Sequence, residues 1–216
     1  MSVAVEDLEQ LLAVKSKITA DIDTRTLSAE NFPYNLSLRR RDISDEKQLK
    51  KFIKSCESII RHSPEYHVWT EYIREVLGHY SCEVTGEVHS QTNVDIHHHP
   101  ISLYMICKSV ITKLMSSSID FCSFDIATKV IELHYENLIG YVPLVESLHQ
   151  KFHNGFFSIP MDLIHGNWNH LLKTHEFDDE DMDVIRARLA INKSNCGWAK
   201  GYVWIKTSRS SEIHGV

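Results

Sequence analysis

The chain contains no C-x-x-C pair among its 216 residues, and its five cysteines, Cys56, Cys82, Cys107, Cys122 and Cys196, are scattered. An odd, dispersed set argues against a cysteine zinc knuckle or a disulfide scaffold and points to reduced thiols. No apolar run reaches membrane-spanning length, which argues against a membrane partner. The opening "MSVAVEDLEQ" has neither the charged start nor the apolar middle of a signal peptide, so a cytoplasmic location is expected. Net positive charge is missing too. A formal charge of -6 does not advertise nucleic acid, though local patches matter more than the sum. Internal repeats are absent. With 43% hydrophobic residues, the chain can still bury the core of one domain with appendages.

Charge is segregated along the chain. "LRRRD" at 38–42 and "KQLKK" at 47–51 are basic, and "EFDDEDMD" at 176–183 is acidic. The plain reading of both is solvated surface. Periodicity predicts a short helix over 5–16 and a clearer one from Asp45 to Ile60, with Ile53, Cys56 and Ile60 in its apolar stripe. Ser63-Pro64 reads as an N-cap and first helical residue, opening a helix that runs through Tyr66, Trp69 and Ile73 to Gly78. The period then shortens, and 79–90 and 92–98 read as two short strands around Thr85-Gly86 or the polar loop that follows. Helices are expected again at 103–114, 123–134, 144–153 and 178–191, with a short strand and helical turn between the last two. "YVWIK" at 202–206 reads as a strand. The expected class is α+β.

What the chain has in excess is histidine, 14 residues. Val94 to Pro100 reads "VDIHHHP", and "VESLHQKFHNG" follows later. His149 and His153 are four apart, so on a helix they stand one turn apart on one face. Two imidazoles at that spacing can bind one ion, although such a pair can equally be surface or packing residues. The pair lacks the H-E-x-x-H glutamate, because residue 150 is Gln. The HHH run ends a strand, where one imidazole could complete a three-histidine shell and another could accept a proton from water. On a strand, His97 and His99 share a face and His98 points away. Spacing alone does not separate ligand from base.

The pattern resembles the HNH endonucleases, whose catalytic unit is the ββα-metal motif. "YSCEVTGEVHSQTNVDIHHHP" at 80–100 is similar to that family's opening hairpin, Asn137-Leu138 to its middle asparagine, and "VPLVESLHQKFHNG" at 142–155 to its metal helix. The resemblance implies a ββα-metal core at 80–155 with a helical insertion at 101–136. A helical region at 1–79 would precede it, and a C-terminal α/β extension at 156–216 would pack on it. It implies His97, His149 and His153 as metal ligands, His98 as general base and Asn137 as the residue that orients it. His99, Asp95 and His134 are possible substitutes, and Asn154 could also stand in for Asn137. The family's cysteine zinc knuckles are missing, since Val145 and Leu148 stand where many relatives place cysteine. Long-insert members of this appearance look bacteriophage-encoded, which would put the protein in a host-cell cytoplasm.

The implied function is endonucleolytic hydrolysis of DNA phosphodiesters with one divalent ion, Zn, Mg, Mn, Ni or Co. Three imidazoles favour the transition metals. Phosphate contacts would come from Lys151, Arg39, Arg40, Arg41, Lys50 and Lys51, with Lys47, Lys54, Lys200, Lys206 and Arg209 as further cations; each is otherwise a solvated residue. The alternative is a non-cleaving structural or nucleic-acid-binding protein, possible in a virion, that keeps a structural metal. A metallohydrolase with a small substrate would instead need a deep pocket.

Overall fold

The computed structural model describes residues 45–89, 92–117, 121–156 and 158–191. The expected helix at 5–16, the strand at 202–206, and Arg39, Arg40, Arg41, Lys200, Lys206 and Arg209 lie outside them.

The described chain is α+β, mostly helical with one two-stranded antiparallel sheet. Helix α1, Glu46–His62, starts where the Asp45 side chain accepts from the Lys47 and Gln48 amides, and it ends with Arg61 and His62 at its negative pole. Its buried residues Ile53, Cys56 and Ile60 follow the helical period. Helix α2, Pro64–Glu71, begins at Ser63, whose hydroxyl accepts from the Tyr66 amide and donates to the Ile60 carbonyl. One side chain therefore ends α1 and starts α2. A π-helical turn, Tyr72–Val76, extends α2.

Strand β1, Val94–His98, precedes helices α3, Leu103–Ser116, and α4, Ser123–Tyr135. Strand β2, Tyr141–Val145, then runs directly into helix α5, Glu146–His153. A short 3-10 turn, Met161–Leu163, and helices α6, Trp168–Thr174, and α7, Asp179–Leu189, complete the described chain. Helices α1, α3 and α4 bury the main apolar cluster, through Ile53, Cys56, Ile60, Ile106, Ile111, Ile126 and Val130.

The sheet corrects the expected hairpin. Strand β1 pairs with β2 across the two helices, in the register Ile96↔Pro143, His97↔Val142 and His98↔Tyr141. Among the described residues the 80–89 segment makes one bridge of its own, Ser81↔Val88, around Thr85-Gly86, and its Glu83 amide donates to the Pro143 carbonyl at 3.0 Å. Its "C-x-x-TG" stretch is a turn in which the Cys82 carbonyl accepts from the Gly86 amide at 2.8 Å, with Gly86 at φ +76. Strand β2 was hidden in sequence by Pro143. In an antiparallel ladder, hydrogen-bonded and non-hydrogen-bonded pairs alternate. The Glu146 amide donates to Asn93 and the His99 amide to Gly140, so the alternation leaves Pro143 opposite Ile96 at a position where no N–H is required. The helix predicted from Leu144 therefore starts at Glu146.

Pleating assigns the faces. Ile96, His98 and Tyr141 look into the helical core; Asp95, His97 and His99 share the other face with Val142 and Leu144, where α5 packs through Leu148.

A candidate metal centre between β1 and α5

His97 is buried on β1, His149 is half-buried on α5, and His153 is exposed one turn further along α5. One ring nitrogen of each lies within 4.8 Å of the others. The Nε2 atoms of His149 and His153 are 2.9 Å apart. Nitrogens bound tetrahedrally to one ion at about 2.0–2.1 Å are roughly 3.4 Å apart, so the observed spacings bracket what one ion needs. Two facing lone pairs at 2.9 Å repel unless a proton or a cation sits between them. The Nε2 of His97 is buried and has no hydrogen-bond partner among the described residues. That orphaned acceptor fits an ion better than it fits an apolar core.

Asp95 completes the geometry. Its Oδ2 accepts from Nδ1 of His149 at 3.0 Å. The proton is thereby fixed on Nδ1, and the Nε2 lone pair turns toward His97 and His153. That hydrogen bond holds the Asp95 carboxyl below its ordinary range. Burial, with His149, His99 and His153 alongside, pushes His97 down to about 2, so it stays neutral with its lone pair available. Burial and His149 likewise lower His153. Three imidazoles that converge at this spacing are suited to a divalent transition metal. Asp95, the one carboxylate in this group, faces His149, which disfavours the oxygen-seeking Mg and Mn.

The other candidate residues lie elsewhere. His98 points into the core on the opposite face of β1. Its ring lies near-parallel to Tyr66 and Trp69, and its Nε2 is 2.9 Å from Nε2 of His134. Nδ1 of His134 donates to the Val130 carbonyl at 2.6 Å, so Nε2 of His134 accepts and His98 carries the proton. Burial holds both well below the ordinary histidine value. The residue expected to activate water is thus packed beneath two aromatic rings. Asn137 follows α4 with φ 56, its amide bonded to the His134 carbonyl at 3.0 Å. It is a left-handed helix cap, a position asparagine tolerates. Asn154 caps the end of α5. Lys151 lies on α5, and Lys50 and Lys51 are exposed on α1. Other histidines do ordinary structural work: His89 accepts from the Val94 amide, and His165 pairs with Glu83. Arg188, unmarked by any sequence pattern, reaches from α7 to the Pro100 carbonyl at 2.7 Å, and its guanidinium lies over Phe152 of α5.

A family model described as bacteriophage G278-like virion protein matches residues 4–199. No curated protein and no solved structure matches the chain. The match overturns the HNH endonuclease assignment, which rested on histidine spacings too short to establish descent. It also replaces the expected cytoplasmic location with the virion, while agreeing with the bacteriophage origin.

Proposed function

The chain belongs to the bacteriophage G278-like virion protein family, and from that premise we propose a virion-associated protein in which His97, His149 and His153 hold one zinc-class ion as a structural fastening, without phosphodiester cleavage. The observation that carries this reading is the convergence of the three imidazoles, with Asp95 behind one of them. Helix α5 supports the fastening role. It has eight residues, no side-chain cap at its start, and only Leu148 fully buried. So short a helix is not stable on its own. An ion shared with β1 ties it down. Two features favour a non-cleaving protein: His98 is turned into the core, and net charge is negative.

Two measurements on the purified full chain test the proposal. Thermal unfolding is followed with excess zinc and after chelation; at zinc about 1,000 times its Kd, the gain is about 4 kcal/mol. Plasmid nicking is assayed with Mg, Mn, Co, Ni and Zn, beside His98→Ala. The expected result is strong zinc stabilisation and intact plasmid throughout. Nicking by wild type that disappears in His98→Ala would replace the structural reading with a nuclease.

A further inference from the structure

Three protein nitrogens leave a tetrahedral ion one ligand short, and the residues beside it are unusually demanding. His99 is completely buried, yet neither Nδ1 nor Nε2 has a hydrogen-bond partner among the described residues. A neutral imidazole carries one donor and one acceptor, and leaving such groups buried and unpaired is destabilising. The ring cannot easily swing out. The His99 amide donates to the Gly140 carbonyl at 3.0 Å, and a Cβ on Gly140 would lie 2.2 Å from the His99 carbonyl oxygen. His99 is therefore held on the face of His97, their ring centroids 6.1 Å apart. Phe152 touches both, at 4.6 Å from His97 and 5.5 Å from His99.

Arg188 closes the group from α7, its guanidinium 5.5 Å from the Phe152 centroid. One N–H goes to the Pro100 carbonyl, and a guanidinium has four more to offer. Lys108, Lys129, His149, His165 and Arg186 each pair with a carboxylate among the described residues. Asp181, close enough to favour the charge of Arg188, is itself bound to Lys108 at 2.9 Å. Arg188 thus has N–H groups to offer beside an imidazole that lacks a partner among the described residues.

We propose that the metal-loaded site binds an oxyanion of the phosphate class, with one oxygen completing the ion's shell and others held by His99 and Arg188. The inference rests on the metal reading above. A tetrahedral oxyanion suits it because it has an oxygen for each of the ion, His99 and Arg188, and a carboxylate has only two oxygens to share. Planar guanidinium N–H groups match phosphate oxygens well. Free phosphate and the phosphodiester of a nucleic acid share this chemistry.

The test is calorimetric titration of the zinc-loaded full chain with inorganic phosphate, and in a second arm with a short single-stranded oligonucleotide. Zinc per chain is measured on the same samples. Arg188→Gln and His99→Phe are expected to retain zinc and weaken phosphate binding at least tenfold. If the oligonucleotide binds with the same sensitivity to Arg188→Gln, the source is nucleic acid; if only inorganic phosphate binds, it is the free ion. Zinc uptake with no phosphate binding, or equal binding by wild type and Arg188→Gln, overturns the oxyanion and leaves the metal site standing. Failure to take up zinc removes both.

Discussion

Replacing Asp95 isolates the orienting part of the site from its ligands. The Asp95 carboxylate accepts from Nδ1 of His149 at 3.0 Å and so aims Nε2 at its neighbours. In Asp95→Ala the imidazole is free to rotate and to carry its proton on Nε2, where it blocks the ion. Losing such an outer partner costs 10- to 100-fold in metal affinity, about 1.4–2.7 kcal/mol. Asp95→Asn is the sharper comparison. Its amide oxygen still accepts from Nδ1–H, so the tautomer survives and only the charge is lost. We expect a loss near tenfold for Asn and near 100-fold for Ala, read by zinc competition against a chromophoric chelator. Without metal the two variants should melt close to wild type, because Asp95 is about one-third exposed and its pair with His149 is screened by solvent. Wild-type zinc affinity in Asp95→Ala, or a greater loss in Asn than in Ala, would refute the reasoning.

Acid should destabilise the metal-free protein through the buried imidazoles. Burial pushes His134 down to about 4. Below about pH 6.5 the unfolded chain takes up a proton that the folded chain refuses, so stability falls as pH drops toward 4, by roughly 3 kcal/mol from His134 alone; a flat denaturant-stability profile between pH 7 and 4 contradicts this. Gly140→Ala would place its Cβ 2.2 Å from the His99 oxygen and 2.9 Å from Cβ of Trp168, so a loss of about 1–3 kcal/mol is expected in denaturant melts; unchanged stability would show that β2 can shift without cost. Asn137→Ala should cost about 1 kcal/mol through its left-handed backbone while leaving zinc affinity intact, and Asn137→Gly should cost nothing. A drop in zinc affinity in either variant would return Asn137 to the site.

Local rules made much of the helical part legible. Asp45 and Ser63 mark helix starts by side chains that bond amides two or three residues ahead, and Ile53, Cys56 and Ile60 repeat at helical spacing. The separation of His97 and His99 from His98 followed from strand pleating, and the shared face of His149 and His153 from their spacing of four. Strand β2 was not legible. "YVPLV" carries a proline that argues against a strand until the register shows Pro143 opposite Ile96, and that register joins segments separated by two helices. Arg188 was invisible for a similar reason: its partner, Pro100, lies 88 residues away. The acidic stretch before it is not all solvated surface, since Asp178 and Asp181 both pair with Lys108 and thereby anchor α7 to α3. The burial of His98 beside Tyr66 and Trp69 was not legible, because a histidine run suggests chemistry at each member whereas the pleat sends alternate residues into different environments. Family membership was misread because a few histidines at short spacings recur in chains without common descent.

The central claim is that a strand and a helix share one ion. X-ray absorption at the zinc edge, on the full chain loaded with one equivalent and cleared of excess, tests it most directly. The account predicts three imidazole nitrogens and one oxygen at about 2.0–2.1 Å, with His149→Ala and His153→Ala each losing the imidazole signal of their ligand. Sulfur scattering from a cysteine, or a chain that retains no zinc after dialysis, would contradict it.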